Sequence, residues 1–589
     1  MTTGWPGPDG PPPAVPDATG TAPPIPPRDD DRTIPPDLRP DGDRPPWRRP
    51  RVRTVARRPD AVVPRRGAVA LPCLAAGAGL ALSLPPWGFW ILAFPAAGLL
   101  WWRLGGLRPR TRLWAGWLAG LGCYVPGLMF ARSFTLVGAA VLIAAEALFV
   151  GVACLAVPRG PVWARALAFP AAMTLAEAAR QTWPFGGLPI GGVFLGQAAG
   201  PLLGTARLGG PLALTAVVYT GGVASGALGT VVARAVRDHR RIRATGRPDG
   251  APAASAWPDA LAGLGGLATV AAVALVAVAG AGAAGDLAPD GGPSVGAVTA
   301  AAVQGGGLRG FSKAQVDPAV VLAAATDATD ELARRTAGRP LDLVLWPEDV
   351  VALDGPLDGS PEESVLSGLA RRLGSTLVVG VTETTSATAY RNEVVAFGPD
   401  GTVVSRYEKV HRVPFGEYVP YRSFFARLAN LSAVPRDAVP GTGTGLLTTP
   451  AAPLGAMISF EVFYAGRGRS AVRAGAQLLI VPTNTSSYAA SQIPTQEIAA
   501  SEVQAVQQGR DLLQAAPTGY SAWINNRGVL EARSTLGARQ IVPAVLQRRT
   551  GRTLYVRFGD APVLAASVAA LAAGWWLAVR GRGRSRRYS

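Results

Sequence analysis

The chain contains very few of the residues that bind metals or form disulfide bonds. It has 3 cysteines and 2 histidines among 589 residues. The cysteines Cys73, Cys123 and Cys154 all lie in apolar runs, and the histidines His239 and His411 lie far apart in the sequence. These absences exclude a disulfide framework, a Cys/His metal cluster and a cysteine nucleophile from the more polar part of the chain. We therefore expect no metal site. The chain also has no nucleotide-binding loop, and we expect no cofactor.

Lysine is equally scarce, although the chain is strongly basic. Lys and Arg together number 57 against 39 Asp and Glu, a formal net charge of +18, yet the lysines are Lys313 and Lys409 alone. Arginine is effectively always protonated, whereas lysine offers a compact ammonium whose pKa responds to its surroundings. A lysine in this background is a candidate for a role that arginine cannot fill.

Apolar residues make up 49% of the chain, and the mean hydropathy is positive. Apolar bulk beside a surplus of arginine is typical of a membrane protein with basic cytoplasmic loops. A nucleic-acid-binding protein would interleave basic and aromatic residues on a soluble domain, but residues 290–550 are close to charge-balanced. We therefore expect a membrane partner and no nucleic-acid partner.

Composition divides the chain into five predicted segments. Residues 1–66 are rich in Pro, Asp and Arg, cannot bury a core, and are predicted to form a disordered cytoplasmic tail. A membrane domain of about seven spans is expected over residues 67–285, and a last transmembrane helix over residues 558–580. Between them lies a soluble domain over residues 290–550, and residues 581–589 form a basic cytoplasmic tail.

Eight apolar runs approach the roughly 20 residues that a bilayer-spanning helix needs. They lie near residues 68–84, 88–102, 113–131, 134–157, 163–179, 210–233, 258–284 and 560–579. With this number of spans, every strongly basic connection falls on one side of the membrane, as the positive-inside rule requires of cytoplasmic loops. The pattern predicts a multi-pass protein of the cell membrane, with both termini cytoplasmic and the soluble domain extracytoplasmic.

The soluble domain alternates strand-like and helix-like segments. The runs STLVVGVTE, NEVVAFG, GAMISFE and QLLIVPTN have strand patterns, and SVLSGLARRLG has a helical pattern. The sequence GPDG at Gly398–Gly401 predicts a hairpin turn. The fold expected here is an α/β sandwich, which at this length can bury a full core.

Three polar side chains follow apolar runs at predicted strand ends. They are Glu348 after LVLWP, Lys409 after VVSRYE and Ser459 after AMI. A carboxylate can move protons, an ammonium can stabilise an oxyanion and a hydroxyl can act as nucleophile, so the set suits acyl transfer. Each residue alone also has a structural interpretation. Glu348 could be a cap, Lys409 a solvated charge, and Ser459 a small polar residue at the end of a strand.

Four motifs occur together, LWPE (345–348), EKVHRVPFGEYVP (408–420), SFE (459–461) and VPTNTSSY (481–488). By these motifs the soluble domain resembles the nitrilase, or carbon–nitrogen hydrolase, superfamily, which implies an αββα sandwich. Joined to a membrane part of eight spans, it resembles the bacterial apolipoprotein N-acyltransferase family. The resemblance covers about residues 68–580.

The resemblance implies roles for individual residues. Glu348 corresponds to the general base of the family, Lys409 to its oxyanion-stabilising lysine, and Ser459 stands where the family has a cysteine nucleophile. The residues that match supporting positions of the active site are Glu417, Glu461 and Phe460. Phe460 stands where a tyrosine is usual.

The family moves an acyl chain from a membrane phospholipid to its nucleophile, and then to the α-amine of a diacylglyceryl-cysteine lipoprotein. The resemblance therefore implies an acyltransferase whose partners are phospholipid, lipoproteins and membrane, with no cofactor. A serine hydroxyl is far less acidic than a thiol and needs a base in the transition state. Three alternatives stay open: a catalytically impaired paralogue that binds lipid or lipoprotein without turnover, an enzyme whose Ser459 is adapted to a different acyl donor or acceptor, and an amidase for soluble substrates on a membrane anchor.

One span would anchor an enzyme, so eight favour a substrate that arrives through the bilayer. Trp183, Phe185 and the sequence GGLPIGGVFLGQ at 186–197 are candidates for the lipid-facing side of the pocket. Ordinary interfacial aromatics and glycine packing explain the same residues equally well.

Overall fold

The computed structural model describes residues 66–587 except 134, 246–256, 308–315, 337–338, 428–429, 433 and 489–490, so nearly all of the tail predicted over 1–66 lies outside the described residues. The helices are α1 (Arg66–Ser83), α2 (Ala93–Arg103), α3 (Pro109–Gly127), α4 (Leu136–Ala156), α5 (Val162–Arg180), α6 (Ala206–Thr245), α7 (Trp257–Leu287), α8 (Pro318–Thr336), α9 (Pro361–Leu373), α10 (Arg422–Phe425), α11 (Ala465–Arg473), α12 (Ile493–Gln508), α13 (Leu554–Phe558) and α14 (Ala561–Arg587). The strands are β1 (Ala297–Gln304), β2 (Leu343–Leu345), β3 (Val351–Leu353), β4 (Thr376–Ser386), β5 (Ala389–Phe397), β6 (Val403–Glu408), β7 (Asp437–Ala438), β8 (Leu446–Thr448), β9 (Pro453–Ala456), β10 (Leu478–Pro482), β11 (Leu512–Ala515), β12 (Ala522–Ile524), β13 (Leu530–Arg533) and β14 (Gln540–Gln547).

Helices α1 to α7 and α14 form in the eight apolar runs. Within the described residues, four helical stretches are long and apolar enough to cross a membrane, Leu136–Ala156, Leu203–Arg240, Gly265–Leu287 and Ala561–Gly581. Small residues let the helix backbones approach closely. A Cβ atom added at Gly77 of α1 would lie 2.0 Å from the carbonyl oxygen of Ala119 on α3. Glycine is therefore required where these two helices cross.

The second apolar run forms a shorter helix than the predicted span over residues 88–102. Helix α2 has 11 residues, which at about 1.5 Å per residue is about half of the ~30 Å hydrocarbon core. Pro85 and Pro86 end the preceding helix because proline lacks an N–H donor. Gly88 then turns the chain at a φ of +67°. A short 3-10 helix at Trp90–Leu92 follows this turn, and the α-helix begins at Ala93.

The soluble part is built from two sheets packed face to face. The strand order is β14-β1-β2-β4-β5-β6 in the first sheet, where β3 also pairs with β4 and β7 with β5, and β13-β12-β11-β10-β9-β8 in the second. Residues of both sheets, such as Val394 and Ile480, share one buried core. Helices α8 and α9 cover the outer face of the first sheet, and α11 and α12 that of the second. The predicted αββα sandwich is confirmed.

The outer layer formed by α11 and α12 packs against the membrane helices. Val503 of α12 belongs to the same buried core as Phe194 in the connection between α5 and α6. The side chain of Gln496 donates from Nε2 to the carbonyl oxygen of Gly127 at 3.1 Å and accepts from the N–H of Gly191 at 3.0 Å. The apolar helices and the sandwich therefore share a continuous core on this side.

The predicted hairpin turn between β5 and β6 is confirmed. The two strands pair antiparallel, and Gly401, at a φ of +83°, donates its N–H to the carbonyl oxygen of Gly398 at 2.8 Å. At the far end of the hairpin the N–H of Lys409 donates to the carbonyl oxygen of Asn392 at 2.9 Å. The hairpin therefore sets the position of the Lys409 backbone.

Candidate active site

Lys409 is the centre of a buried ion cluster. The residue directly follows β6 and is 1% exposed. Its Nζ atom lies 2.8 Å from Oε1 of Glu348 and 2.5 Å from Oε1 of Glu417. Glu348 follows β2, 61 positions earlier in the chain. The structure thus brings together three of the six residues singled out in the sequence.

The charges of this cluster are strongly coupled. Burial disfavours the ammonium of Lys409, but the carboxylates of Glu348 and Glu417 outweigh that penalty and raise the pKa of Lys409 above its usual value. Burial also raises the pKa of Glu417; Lys409 opposes this rise and the nearby Glu348 carboxylate adds to it. One ammonium serves two carboxylates, so Lys409 stays charged.

Asn392 of β5 also holds the carboxylate of Glu348, although the sequence pattern does not single it out. Its Nδ2 atom donates to Oε1 of Glu348 at 2.9 Å. The one signal in the sequence is an asparagine at the start of the apolar run NEVVAF. Two donors on one carboxylate oxygen fix the orientation of Glu348 before any substrate binds.

Ser459 lies on a sharp turn, and the expectation that it ends a strand is wrong. Strand β9 ends at Ala456, and Ser459–Phe463 form a short 3-10 helix. Ser459 has a φ of +49°, a backbone conformation that residues with a side chain rarely adopt. Such strain is often found at functional sites, including the turn that exposes the nucleophile of hydrolases. Its side chain is half-buried.

Glu461 joins the Ser459 turn to the Lys409 segment. Its fully buried carboxylate accepts the N–H of Ile458 at Oε2, at 2.9 Å, and the N–H of Val410 at Oε1, also at 2.9 Å. Ile458 directly precedes Ser459, and Val410 directly follows Lys409. One carboxylate therefore sets the relative position of the two segments.

Phe460 is buried beside aromatic side chains. Its ring packs edge-on against Tyr464, with ring centroids 5.1 Å apart. Tyr464 in turn stacks on His411, with centroids 4.3 Å apart. Burial lowers the pKa of His411, against the opposing effect of Glu461, so the imidazole is neutral at pH 7. The aromatic stack thus spans the segments that carry the candidate nucleophile and the candidate ammonium.

A further buried carboxyl, Glu497 of α12, contacts the segment VPTNTSSY. The hydroxyl of Thr483 donates to its Oε1 atom, and Oε2 has no hydrogen-bond partner among the described residues. Burial raises the pKa of Glu497 to about 8; the Thr483 hydrogen bond opposes the rise, and the Glu348 carboxylate adds to it. Glu497 is therefore largely protonated at neutral pH.

Acidic, His and Cys side chains of the described residues form no group of three or more that could hold a metal ion. The groups brought together are instead a carboxylate, an ammonium and, on a turn tied to them, a hydroxyl. These are the parts that acyl transfer by a covalent route requires.

Two family descriptions match the chain. Residues 76–224 match the Apolipoprotein N-acyltransferase N-terminal domain, and residues 299–554 match Carbon-nitrogen hydrolase. The second match spans the sandwich and the first lies in the apolar helices. The class defined by fold and site is thus a carbon–nitrogen hydrolase domain joined to a helical, apolar N-terminal part.

Saccharomyces cerevisiae Nit3, a member of branch 10 of the nitrilase superfamily, is a solved structure that matches with a TM-score of 0.33 and 19% identity, over 43% of this chain and 91% of that chain. Relatives that match this chain over most of its length narrow the class to one family. The apolipoprotein N-acyltransferase of Mycolicibacterium smegmatis is 31% identical over 474 residues, 76% of this chain and 75% of that protein. That of Azotobacter vinelandii is 29% identical over 542 residues, 86% of this chain and 94% of that protein. The chain belongs to the apolipoprotein N-acyltransferase family and is an acyltransferase.

Proposed function

We propose that this acyltransferase takes a fatty acyl chain from a membrane phospholipid and passes it to the α-amino group of the N-terminal diacylglyceryl-cysteine of lipoproteins. The acyl chain is carried on Ser459 between the two steps. The observation that supports this most is the shared carboxylate of Glu461, which ties the strained Ser459 turn to the segment of the buried Lys409. The names of the family's members supply the acceptor class.

In the first step the hydroxyl of Ser459 attacks the ester carbonyl of the phospholipid. Glu348 takes the hydroxyl proton as the new ester bond forms, and the ammonium of Lys409 stabilises the oxyanion of the tetrahedral intermediate. The bond to the glycerol oxygen then breaks, and Glu348 returns the proton to that oxygen. Lysophospholipid leaves, and an acyl oxygen ester remains on Ser459.

In the second step the lipoprotein amine attacks this ester. Glu348 takes a proton from the amine and delivers it to the oxygen of Ser459 as the ester bond breaks, so that an amide and the free serine result. An oxygen ester is less activated toward an amine than a thioester. We therefore expect a serine enzyme to be slower than the same site with cysteine.

The supporting residues act through these three groups. Glu417 shares the ammonium of Lys409 at 2.5 Å and so helps to keep it protonated. Glu461 positions backbone segments, and Phe460 fills the apolar space beside the turn. None of these steps requires a cofactor.

The surroundings of the cluster favour a substrate that comes from the bilayer. Phe185, in the connection between α5 and α6, packs edge-on against Phe415, with ring centroids 5.9 Å apart. Phe415 lies in the loop that follows Lys409. Trp183, nearby in sequence, is 68% exposed. In the orientation we propose, with both termini cytoplasmic, these aromatics meet the outer face of the cell membrane.

The test is transfer of a labelled acyl chain. Purified protein in vesicles is given phospholipid with a labelled acyl chain and a synthetic diacylglyceryl-cysteine peptide, and label on the peptide amine is measured. Ser459→Ala should abolish the transfer, and Ser470→Ala, a serine on α11, should preserve it. Lipid or peptide binding without transfer would instead favour the catalytically impaired paralogue, and hydrolysis of soluble amides would favour an amidase.

A further inference from the structure

A buried charge cluster in the apolar helices holds the segment Gly187–Gly191. Arg180 at the end of α5 is 1% exposed. Its Nη2 atom lies 2.8 Å from Oε1 of Glu177, and its Nη1 atom lies 3.2 Å from Oε2 of Glu146 on α4. The same guanidinium donates to the carbonyl oxygen of Ile190 at 3.0 Å. Two helices and the following segment therefore converge on one cation.

This cation leaves little freedom to the segment. A buried guanidinium is retained only when its donors are paired, and here main-chain carbonyls are among the partners. The carbonyl oxygen of Pro189 accepts from Nη2 at 3.2 Å, and that of Leu188 accepts from Nη1. Consecutive carbonyls that bind one rigid planar group fix the path of the backbone.

The held segment contacts the nucleophile turn through Tyr464. The hydroxyl of Tyr464 donates to the carbonyl oxygen of Gly187 at 2.7 Å, in a buried hydrogen bond. Tyr464 directly follows the 3-10 helix Ser459–Phe463, and its N–H donates to the carbonyl oxygen of Glu461 at 3.0 Å. The residue that directly follows the turn is thus tied to the apolar helices.

The ring of Tyr464 also contacts both functional segments. It packs against Phe460, the neighbour of Ser459, and stacks on His411, two residues after Lys409. The N–H of His411 donates to the carboxylate of Glu461 at 3.0 Å. A shift of this ring would therefore move both segments.

We propose that Tyr464 is a positioning residue, which couples the segment held by Arg180 to the two loops that carry Ser459 and Lys409. The apolar helices then set the geometry of the site as well as anchor it. The inference rests on the proposed function, since it takes Ser459 as the nucleophile.

The first measurement uses a thiol at the nucleophile position as a reporter. The full-length Ser459→Cys variant is alkylated with iodoacetamide over a range of pH; its three native cysteines are buried. Adding Tyr464→Phe removes one hydroxyl and keeps the ring. We expect Tyr464→Phe to change the alkylation rate of the thiol and to shift the pH profile of that rate. In the protein with Ser459, the same substitution should lower kcat for acyl transfer by about 10-fold, because small misplacements of reacting groups are costly.

The matched control is Tyr555→Phe. Tyr555 is fully buried, and its hydroxyl has no hydrogen-bond partner among the described residues. This variant should keep the alkylation profile and the transfer rate. Arg180→Lys keeps the charge but loses the planar fork, and it should reproduce the effect of Tyr464→Phe. The effects of the two substitutions in one protein should be less than additive, because both act through the same segment.

The outcomes separate this inference from the proposed function. If Tyr464→Phe behaves as Tyr555→Phe in alkylation and in transfer, or lowers only the melting temperature, the positioning role is overturned. If the alkylation profile shifts as expected while the natural protein forms no acyl-enzyme, the positioning role stands and the proposed function fails.

Discussion

The carboxylate of Glu461 accepts the N–H of Val410 at 2.9 Å, although Val410 lies 51 positions earlier in the chain. The same carboxylate accepts the N–H of Ile458. Hydrogen bonds from backbone N–H groups to a buried carboxylate are among the stronger ones in proteins. The distance between the candidate nucleophile and the candidate ammonium therefore depends on a third residue that need not touch substrate.

Replacing Glu461 by Gln should damage the site without removing any reacting group. Both carboxylate oxygens accept N–H donors, and an amide would place its own NH2 group against one of them. The misplaced NH2 group should shift the Ser459 turn relative to the Lys409 segment. We therefore expect acyl-enzyme formation to slow by about 10–100-fold, because small misplacements of reacting groups are costly. Single-turnover kinetics measure this rate. The control, Tyr407→Phe, removes a hydroxyl that donates to the same carboxylate at 2.9 Å and accepts from Arg467 at 2.8 Å. It should have the smaller effect, and the reverse order would contradict the positioning role of Glu461.

Lys409→Arg should be nearly as damaging as Lys409→Ala. The ammonium lies between two carboxylates at 2.8 and 2.5 Å, and the larger planar guanidinium cannot occupy this position in the same way. Loss of one oxyanion donor typically raises the barrier by about 2.7–4 kcal/mol. The measurement is kcat of each variant, with thermal unfolding as the control for folding. Wild-type turnover in the Arg variant would return Lys409 to the interpretation as a structural charge.

Glu497 should make the protein less stable as the pH rises. Burial raises its pKa to about 8, against an ordinary value of about 4.3. Between these values the folded state keeps a proton that the unfolded chain has lost, so the free energy of unfolding falls with rising pH, by up to about 1.4 kcal/mol per pH unit. Glu497→Gln keeps an acceptor for Thr483 and removes the titration. The melting temperature of Glu497→Gln should rise relative to that of the wild type between about pH 5 and about pH 8. A difference in melting temperature that does not change with pH would refute the raised pKa of Glu497.

The orientation in the membrane remains a prediction that fusions can test. The arginine distribution predicts that Gly292 lies outside the cell and that the end of α14 lies inside. Reporter fusions at Gly292 and after Arg580 should therefore give signals from opposite sides. Signals from the same side would contradict the proposed arrangement.

The sequence was sufficient for the sandwich and for the residues of the ion cluster because both depend on local patterns. Alternation predicts strands, and Glu348, Lys409 and Glu417 stand in recognisable motifs. The partners of these residues could not be predicted. Asn392 looks like any polar residue at the start of a strand, and only the hairpin and the packing of the sheet place its amide against Glu348.

The turn at Ser459 shows a second limit of sequence patterns. The apolar run AMI predicts that the strand continues to Ile458, but β9 ends at Ala456 and the carboxylate of Glu461 satisfies the N–H of Ile458 instead. That hydrogen bond depends on tertiary structure, since it requires Glu461 to be buried beside the Lys409 segment. The hydroxyl of Tyr464 likewise acquires its partner, Gly187, from 277 positions away.

Whether Ser459 carries the acyl chain is tested most directly by intact-protein mass spectrometry after incubation with phospholipid. We expect a mass increase of one acyl chain, located on Ser459, stable to neutral hydroxylamine and absent from Ser459→Ala. Ser459→Cys should form its acyl-enzyme faster, and that adduct should be released by hydroxylamine, because a thiolate forms more easily and a thioester is more reactive. If the natural protein gains no acyl chain, the central claim is contradicted. A gain by Ser459→Cys alone would indicate an intact pocket that lacks its nucleophile, and no gain by either protein would favour the binding paralogue.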